Sequence, residues 1–201
     1  MKYFFMILFL FFLEGCFKPL VMTENYQVRK GDMVFDLKKF NKFGDHKSSS
    51  IQYILDDGTK VIANYWDTGG YSSEITKPGS PYTVSKIYYP NLKLKAIWVK
   101  FDGAPVGNSY AYDENGKLSK QFNHDEGYLF SITDLTTLFK KKYGIDLTKR
   151  EKDSHIDKAN EGQKPAYSVT FYPSSEYSID VKIDGTTGQI LKEIKINQTD
   201  L

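Results

Sequence analysis

From position 51 to position 122 the chain repeats one pattern: a short run of alternating apolar and polar residues, then a turn made of Gly, Pro, Asn or Asp. Alternation with a period of two sends successive side chains to opposite faces of an extended strand, and turns this short bring the chain back beside itself. Residues 51–55 and 60–66 flank Asp56-Asp57-Gly58, residues 82–89 and 94–101 flank Pro90-Asn91, and residues 108–112 and 117–122 flank Asp113-Glu114-Asn115-Gly116. Gly58 and Gly116 supply the positive φ that such turns require. Three consecutive hairpins predict an antiparallel β-meander over residues 51–128. Within it, Asp67-Thr68-Gly69-Gly70-Tyr71-Ser72-Ser73 and Pro78-Gly79-Ser80-Pro81 read as the two ends of one long loop, either a contact element or a mobile connector.

After residue 128 the period changes. Ile132, Leu135, Leu138, Phe139 and Tyr143 are three and four apart, the spacing of one helix face, with Ser131 and Asp134 placed as a capping box and Gly144 where a helix stops. Lys140, Lys141 and Lys142 fall in the last turn, where positive charge offsets the carbonyl end of the helix dipole; a phosphate or anionic-lipid patch is the functional alternative. Residues 149–164 are polar, without an apolar period, and read as a loop. Residues 167–172, 177–183 and 189–196 then read as strands. The fold class expected is α+β, mostly β: the meander, then a small module of one helix and three antiparallel strands over residues 129–201.

The N-terminus carries an address. Lys2 is followed by eleven apolar residues from Tyr3 to Leu13. As a helix such a run rises roughly 16 Å, too short for a hydrocarbon layer of about 30 Å, so it fits a signal peptide over residues 1–15 and not a spanning anchor. Residues 16–50 read as a tether with one early strand at 33–37. The one cysteine excludes an internal disulfide framework. Its context, Leu13-Glu14-Gly15-Cys16, resembles the lipobox of bacterial lipoproteins, with Glu14 departing from the usual small or uncharged residue. The resemblance implies cleavage before Cys16, acylation of that cysteine with palmitate-type chains, and membrane attachment through lipid. Phe17 in place of aspartate implies an outer-membrane address facing the periplasm.

Two further resemblances carry expectations. Tyr167-Ser168-Val169-Thr170-Phe171, Tyr177-Ser178-Ile179-Asp180-Val181 and Asp184-Gly185-Thr186-Thr187-Gly188-Gln189-Ile190-Leu191 resemble a PepSY-type module, about a third of the chain. That implies a non-catalytic envelope domain, often inhibitory or peptide-binding. Tyr112-Asp113-Glu114-Asn115-Gly116-Lys117-Leu118 is faintly similar to the repeat strands of MORN-type antitoxin lipoproteins, with residues 54–61 as a degenerate second copy.

The chemistry-bearing residues are few. There are three histidines, and His124-Asp125-Glu126 is the one place where a base and carboxylates crowd together. The spaced ligands of a metal centre, the parts of a catalytic triad and a phosphate-binding glycine loop are all missing. No catalytic group, metal or cofactor is therefore expected. A net charge of +2, from 27 basic and 25 acidic side chains, gives no basic stripe for nucleic acid. What remains is aromatic surface: Trp66, Tyr71, Tyr82, Tyr88 and Tyr89 in the first part of the meander, then Trp98, Tyr110 and Tyr112. Side chains of this type concentrate in binding hot spots. Tyr82, Val84, Lys86 and Tyr88 share one face of their strand while Ile87 and Tyr89 share the other, so neither face is plainly the wet one and part of the sheet is expected to be covered. The function expected is a lipid-anchored protein-binding or inhibitory module, possible partners being an antibacterial effector or an envelope enzyme. Small-molecule or glycan binding, and envelope assembly, are the alternatives.

Overall fold

A computed structural model describes residues 26–44, 49–67, 69–149, 154–161 and 164–197. The leader, Cys16, His46 and the first part of the tether lie outside the described residues. Among those described, no helix is long and apolar enough to cross a membrane.

The meander is realised as one seven-stranded antiparallel sheet whose strands neighbour each other in chain order. They are β1 (Ser50–Ile54), β2 (Lys60–Tyr65), β3 (Tyr71–Thr76), β4 (Tyr82–Tyr88), β5 (Leu94–Phe101), β6 (Ala104–Tyr112) and β7 (Leu118–Asn123). One strand was not anticipated. β3 occupies the second half of the expected loop, because Tyr71, Ser73 and Ile75 alternate inward and pair with Tyr88, Lys86 and Val84 of β4. Serine and threonine at the other positions hid that period. Between β2 and β3 the Trp66 N–H donates to the Gly70 carbonyl at 2.9 Å.

The second layer begins with α2 (Ile132–Tyr143). The Ser131 hydroxyl accepts from the Asp134 N–H, the Asp134 carboxylate accepts from the Ser131 N–H, and Gly144 ends the helix at φ 70°. An L side chain is disfavoured at such an angle, which is why glycine stops helices there. A four-stranded antiparallel sheet follows, ordered β11-β10-β9-β8, with β8 (Ser154–Glu161), β9 (Lys164–Ser174), β10 (Tyr177–Asp184) and β11 (Ile190–Asn197). The module therefore has four strands where three were expected. β8 lies in the segment read as a loop because Ile156 is its only large apolar residue, yet Ile156 is fully buried. The next inward residue, Lys158, lays its stem in the interior and sends its ammonium over the Tyr128 ring at 4.4 Å and onto the Asp125 carboxylate.

The two sheets share one hydrophobic cluster, running from Phe35 through Val99, Phe101 and Val106 to Ile156, Tyr167 and Phe139. Each large apolar side chain buried in it stabilises the fold by about 1.5–3 kcal/mol. Where β8 approaches the β5–β6 turn, Gly103 sits at φ 130°, and a Cβ there would lie 2.6 Å from the His155 ring and 2.9 Å from the Ile156 carbonyl. Beside it the Ser154 hydroxyl donates to Asp102 Oδ2 at 2.8 Å.

The N-terminal segment is more than a tether. Residues 26–44 hold a 3-10 turn (Lys30–Asp32), a single bridge from Val34 to Lys93 where a strand at 33–37 was expected, and α1 (Leu37–Phe43) capped by Asp36. Phe35 stacks on Tyr71 at 4.6 Å between ring centres, and Phe43 on Tyr53 at 4.5 Å, so this segment covers the inner face of the first strands.

Gly103→Ala is expected to destabilise the protein by about 2 kcal/mol or more, through backbone strain and the push on β8. Thermal unfolding followed by circular dichroism should show a melting temperature lower by roughly 5 °C; an unchanged melt would mean that the β5–β6 turn and β8 are not in close contact.

Candidate functional site

Among the described residues, two concave surfaces lie on opposite faces of the meander, besides a third beside β1. The inner one is a cavity of about 540 Å³ between the N-terminal segment and strands β1 to β4. Its apolar walls include Phe40, Tyr53, Val61, Ala63, Ile75 and Tyr88. At its base lies a charge that the apolar pattern of β4 does not explain: Lys86, between Val84 and Tyr88 on the same inward row, with its side chain only 5% exposed. Its ammonium donates to Asp32 Oδ1 at 2.6 Å. Asp32 is equally buried, and its Oδ2 accepts from the Tyr26 hydroxyl and from the Arg29 backbone N–H, both at 2.8 Å.

The electrostatics follow from that geometry. Burial pulls the Lys86 pKa below the usual lysine value, and Asp32 only partly restores it. For Asp32 burial acts to raise the pKa, but the hydrogen bonds from Lys86 and the Arg29 N–H outweigh it and hold the carboxyl below its usual range. Tyr26, half-buried and donating to a carboxylate, is pushed up to about 12. The contact at 2.6 Å pins the N-terminal segment to the sheet.

The outer surface is a groove of about 390 Å³ along β5, β6 and β7. Ala96, Ala111 and Ser109 are small, and the space they leave is framed by Trp98 on one side and by Phe122 on the other. Ser109 faces Phe122 and Ala111 faces Lys120 in the β6–β7 ladder. Phe122 is 50% exposed and every residue of β7 is exposed. β7 ends the sheet, and among the described residues no strand lies beside its outer backbone edge. Among the described lining residues the basic ones are Lys120 and His124, and none is a carboxylate.

The eight aromatic residues singled out in the sequence do not form one face. Trp98 and Tyr110 line the outer groove, whereas Tyr88 is buried in the core as a wall of the inner cavity. Tyr71 is packed between Phe35, Phe40 and Tyr65, and Tyr82 sets its ring edge against Phe101. Tyr89 donates its hydroxyl to the Tyr112 carbonyl at 2.9 Å, tying β4 to β6, and Tyr112 is itself half-buried. Trp66 is 41% exposed on its own turn. Sequence reasoning missed Asp32, Pro105 and Phe122. For Lys86 the signal was present, since a lysine on the same strand face as Val84 and Tyr88 has either to be solvated at the rim or paired inside.

The side chains of His124, Asp125 and Glu126 enter three different surroundings. Asp125 accepts from the Gly107 N–H at 2.8 Å and from Lys158, which joins β6 to β8; His124 rests edge-on against Phe122; Glu126 points to solvent. Among the described residues no group of three or more His, Cys, Asp or Glu side chains is placed to hold a metal ion. At Asp113-Glu114-Asn115-Gly116 the Asp113 carboxylate accepts the N–H groups of Asn115 and Lys117, the bonding of a hairpin turn. Of the three lysines ending α2, Lys142 pairs with Glu193 at 3.1 Å and Lys140 with Asp146 at 3.7 Å. Comparison with protein-family models and with curated proteins returned no match.

Lys86→Met alone is expected to cost about 3–5 kcal/mol, because it strands the Asp32 charge in the interior. Adding Asp32→Asn should recover most of that loss, a coupling that a double-mutant cycle from urea unfolding measures directly.

His124 predicts a pH dependence. Burial, then the charge of Lys158, pushes its pKa below the usual 6.5, against the opposing pull of Asp125. As pH falls below 6.5 the unfolded chain takes up a proton that the folded chain still refuses, so stability should decrease with falling pH in that window. Melting temperatures across it should show a slope that His124→Gln flattens; an identical slope in the variant would contradict the assignment.

Proposed function

We propose that the protein is a non-catalytic, lipid-anchored envelope module whose work is to bind another protein on the outer face of β5 to β7. The observation that carries this reading is the coincidence of an apolar groove, half-exposed Phe122 and an unpaired sheet edge on the same strand. A free edge offers backbone donors and acceptors to an extended segment of a partner, while alternate side chains of that segment enter the groove alongside. With Lys120 at its rim and no carboxylate among the described lining residues, the groove favours a partner segment that is apolar with an acidic flank.

Anchoring is supported by the Leu13-Glu14-Gly15-Cys16 resemblance, and an outer-membrane address facing the periplasm by Phe17 in place of aspartate. In its most specific form the role is that of an immunity or inhibitor protein, which occludes a periplasm-acting antibacterial effector or an envelope enzyme. The PepSY-like module supports an inhibitory role by resemblance.

Two measurements test the reading. Cells fed labelled palmitate should label the wild-type protein and not Cys16→Ser; label in neither would remove the membrane address. Copurification from detergent-solubilised envelopes should recover one stoichiometric protein with the wild type, lost by tenfold or more with Phe122→Glu while the melting temperature is unchanged. The surface position of Phe122 makes that substitution tolerable for folding. Equal recovery by Phe122→Glu, or no partner for the wild type, would contradict the outer-face assignment.

A further inference from the structure

We propose that the inner cavity is a binding site for a small monocarboxylate with an apolar body, whose carboxylate is received by Lys86. The site is independent of the outer face and of the lipid anchor.

A protonated lysine has three N–H donors and no acceptor. Among the described residues Asp32 takes one of the three, and the Lys86 side chain is 5% exposed at the base of the cavity. The other two can turn to an acceptor in the cavity that Lys86 lines, and a charged donor gains from one in the interior. Asp32 Oδ1 accepts from Lys86, and Oδ2 from Tyr26 and the Arg29 N–H. A carboxylate in the cavity supplies a further acceptor for Lys86.

Charge fixes its class. Buried Lys86 at 2.6 Å and the half-exposed Arg29 guanidinium at 3.7 Å flank the single Asp32 carboxylate, two cations to one anion, so the base of the cavity leans positive. At the mouth Lys39 and Lys77 are balanced by Asp36 and Asp57. One negative charge on the ligand completes the set. The hydroxyl of Ser73, directly across the ladder from Lys86, stands beside the same position. The remaining walls are aliphatic and aromatic, including Tyr53, Val61 and Ile75, so the rest of the ligand is apolar. A cavity of about 540 Å³ lies within the range of roughly 300–1,000 Å³ usual for small-molecule pockets.

The test is isothermal titration calorimetry of the detergent-purified full chain with phenylacetate, 3-phenylpropionate and 4-methylpentanoate, each beside its neutral amide. Saturable one-to-one binding of at least one acid, tenfold or more tighter than its amide, is the expected result. The combined variant Lys86→Met with Asp32→Asn, which leaves no lone buried charge, should lose at least tenfold. If that variant does not fold, Ala63→Phe decides: it fills the cavity and keeps Lys86, and it should bind no acid. No saturable heat with any of the three acids, equal affinity for acid and amide, or undiminished binding by Ala63→Phe would overturn the proposal.

Discussion

The inner face of a seven-stranded sheet has to be covered, and the way it is covered turns on one ion pair. Lys86 stands in the middle strand, in a row that is otherwise apolar, and its counter-charge Asp32 comes from 54 residues earlier in the chain. A charge in that position is tolerable only with its partner in place. The pair therefore does for the N-terminal segment what apolar packing does elsewhere: it fixes residues 26–44 across β3 and β4. Phe35, Phe40 and Phe43 then have a surface to stack on, and the space they leave over Val61, Ala63 and Ile75 becomes a cavity with a charged base.

The other half of the molecule is held by different means. β8 meets β6 through a glycine that leaves no room for a side chain, and through Lys158, whose ammonium is held by Asp125, by the His124 carbonyl and by the Tyr128 ring. These contacts merge the helix-and-sheet module with the meander into one core. They also account for the polar cluster at residues 124–126, which is joinery between layers.

Most of the architecture was legible in the sequence because its signals were local. The turns at Gly58 and Gly116, the capping box at Ser131 and the stop at Gly144 each depend on neighbours a few residues away, and each stands where the sequence placed it. The elements that were missed depend on distant partners. β3 is half serine and threonine and becomes a strand through its pairing with β4; β8 is polar and becomes one because β9 and β6 flank it. The candidate site was legible only as an anomaly. Lys86 in an apolar row was visible, but Asp32 as its partner was not, since no local pattern links residues so far apart. The aromatic residues were visible too, but an alternating strand does not say which of its faces another element covers. That is why Tyr88 proved to be core and Phe122, on a strand that is exposed throughout, proved to be surface.

The account stands or falls on whether the N-terminal segment is part of the folded sheet. Hydrogen exchange reads this directly at two amides, Phe35, which donates to the Leu92 carbonyl, and Leu94, which donates to the Met33 carbonyl. In the wild type both should be as protected as the amides inside β4 and β5. In Asp32→Ala they should exchange far faster while the β9–β10 ladder is unchanged. Unprotected amides in the wild type, or protection that survives loss of Asp32, would contradict it.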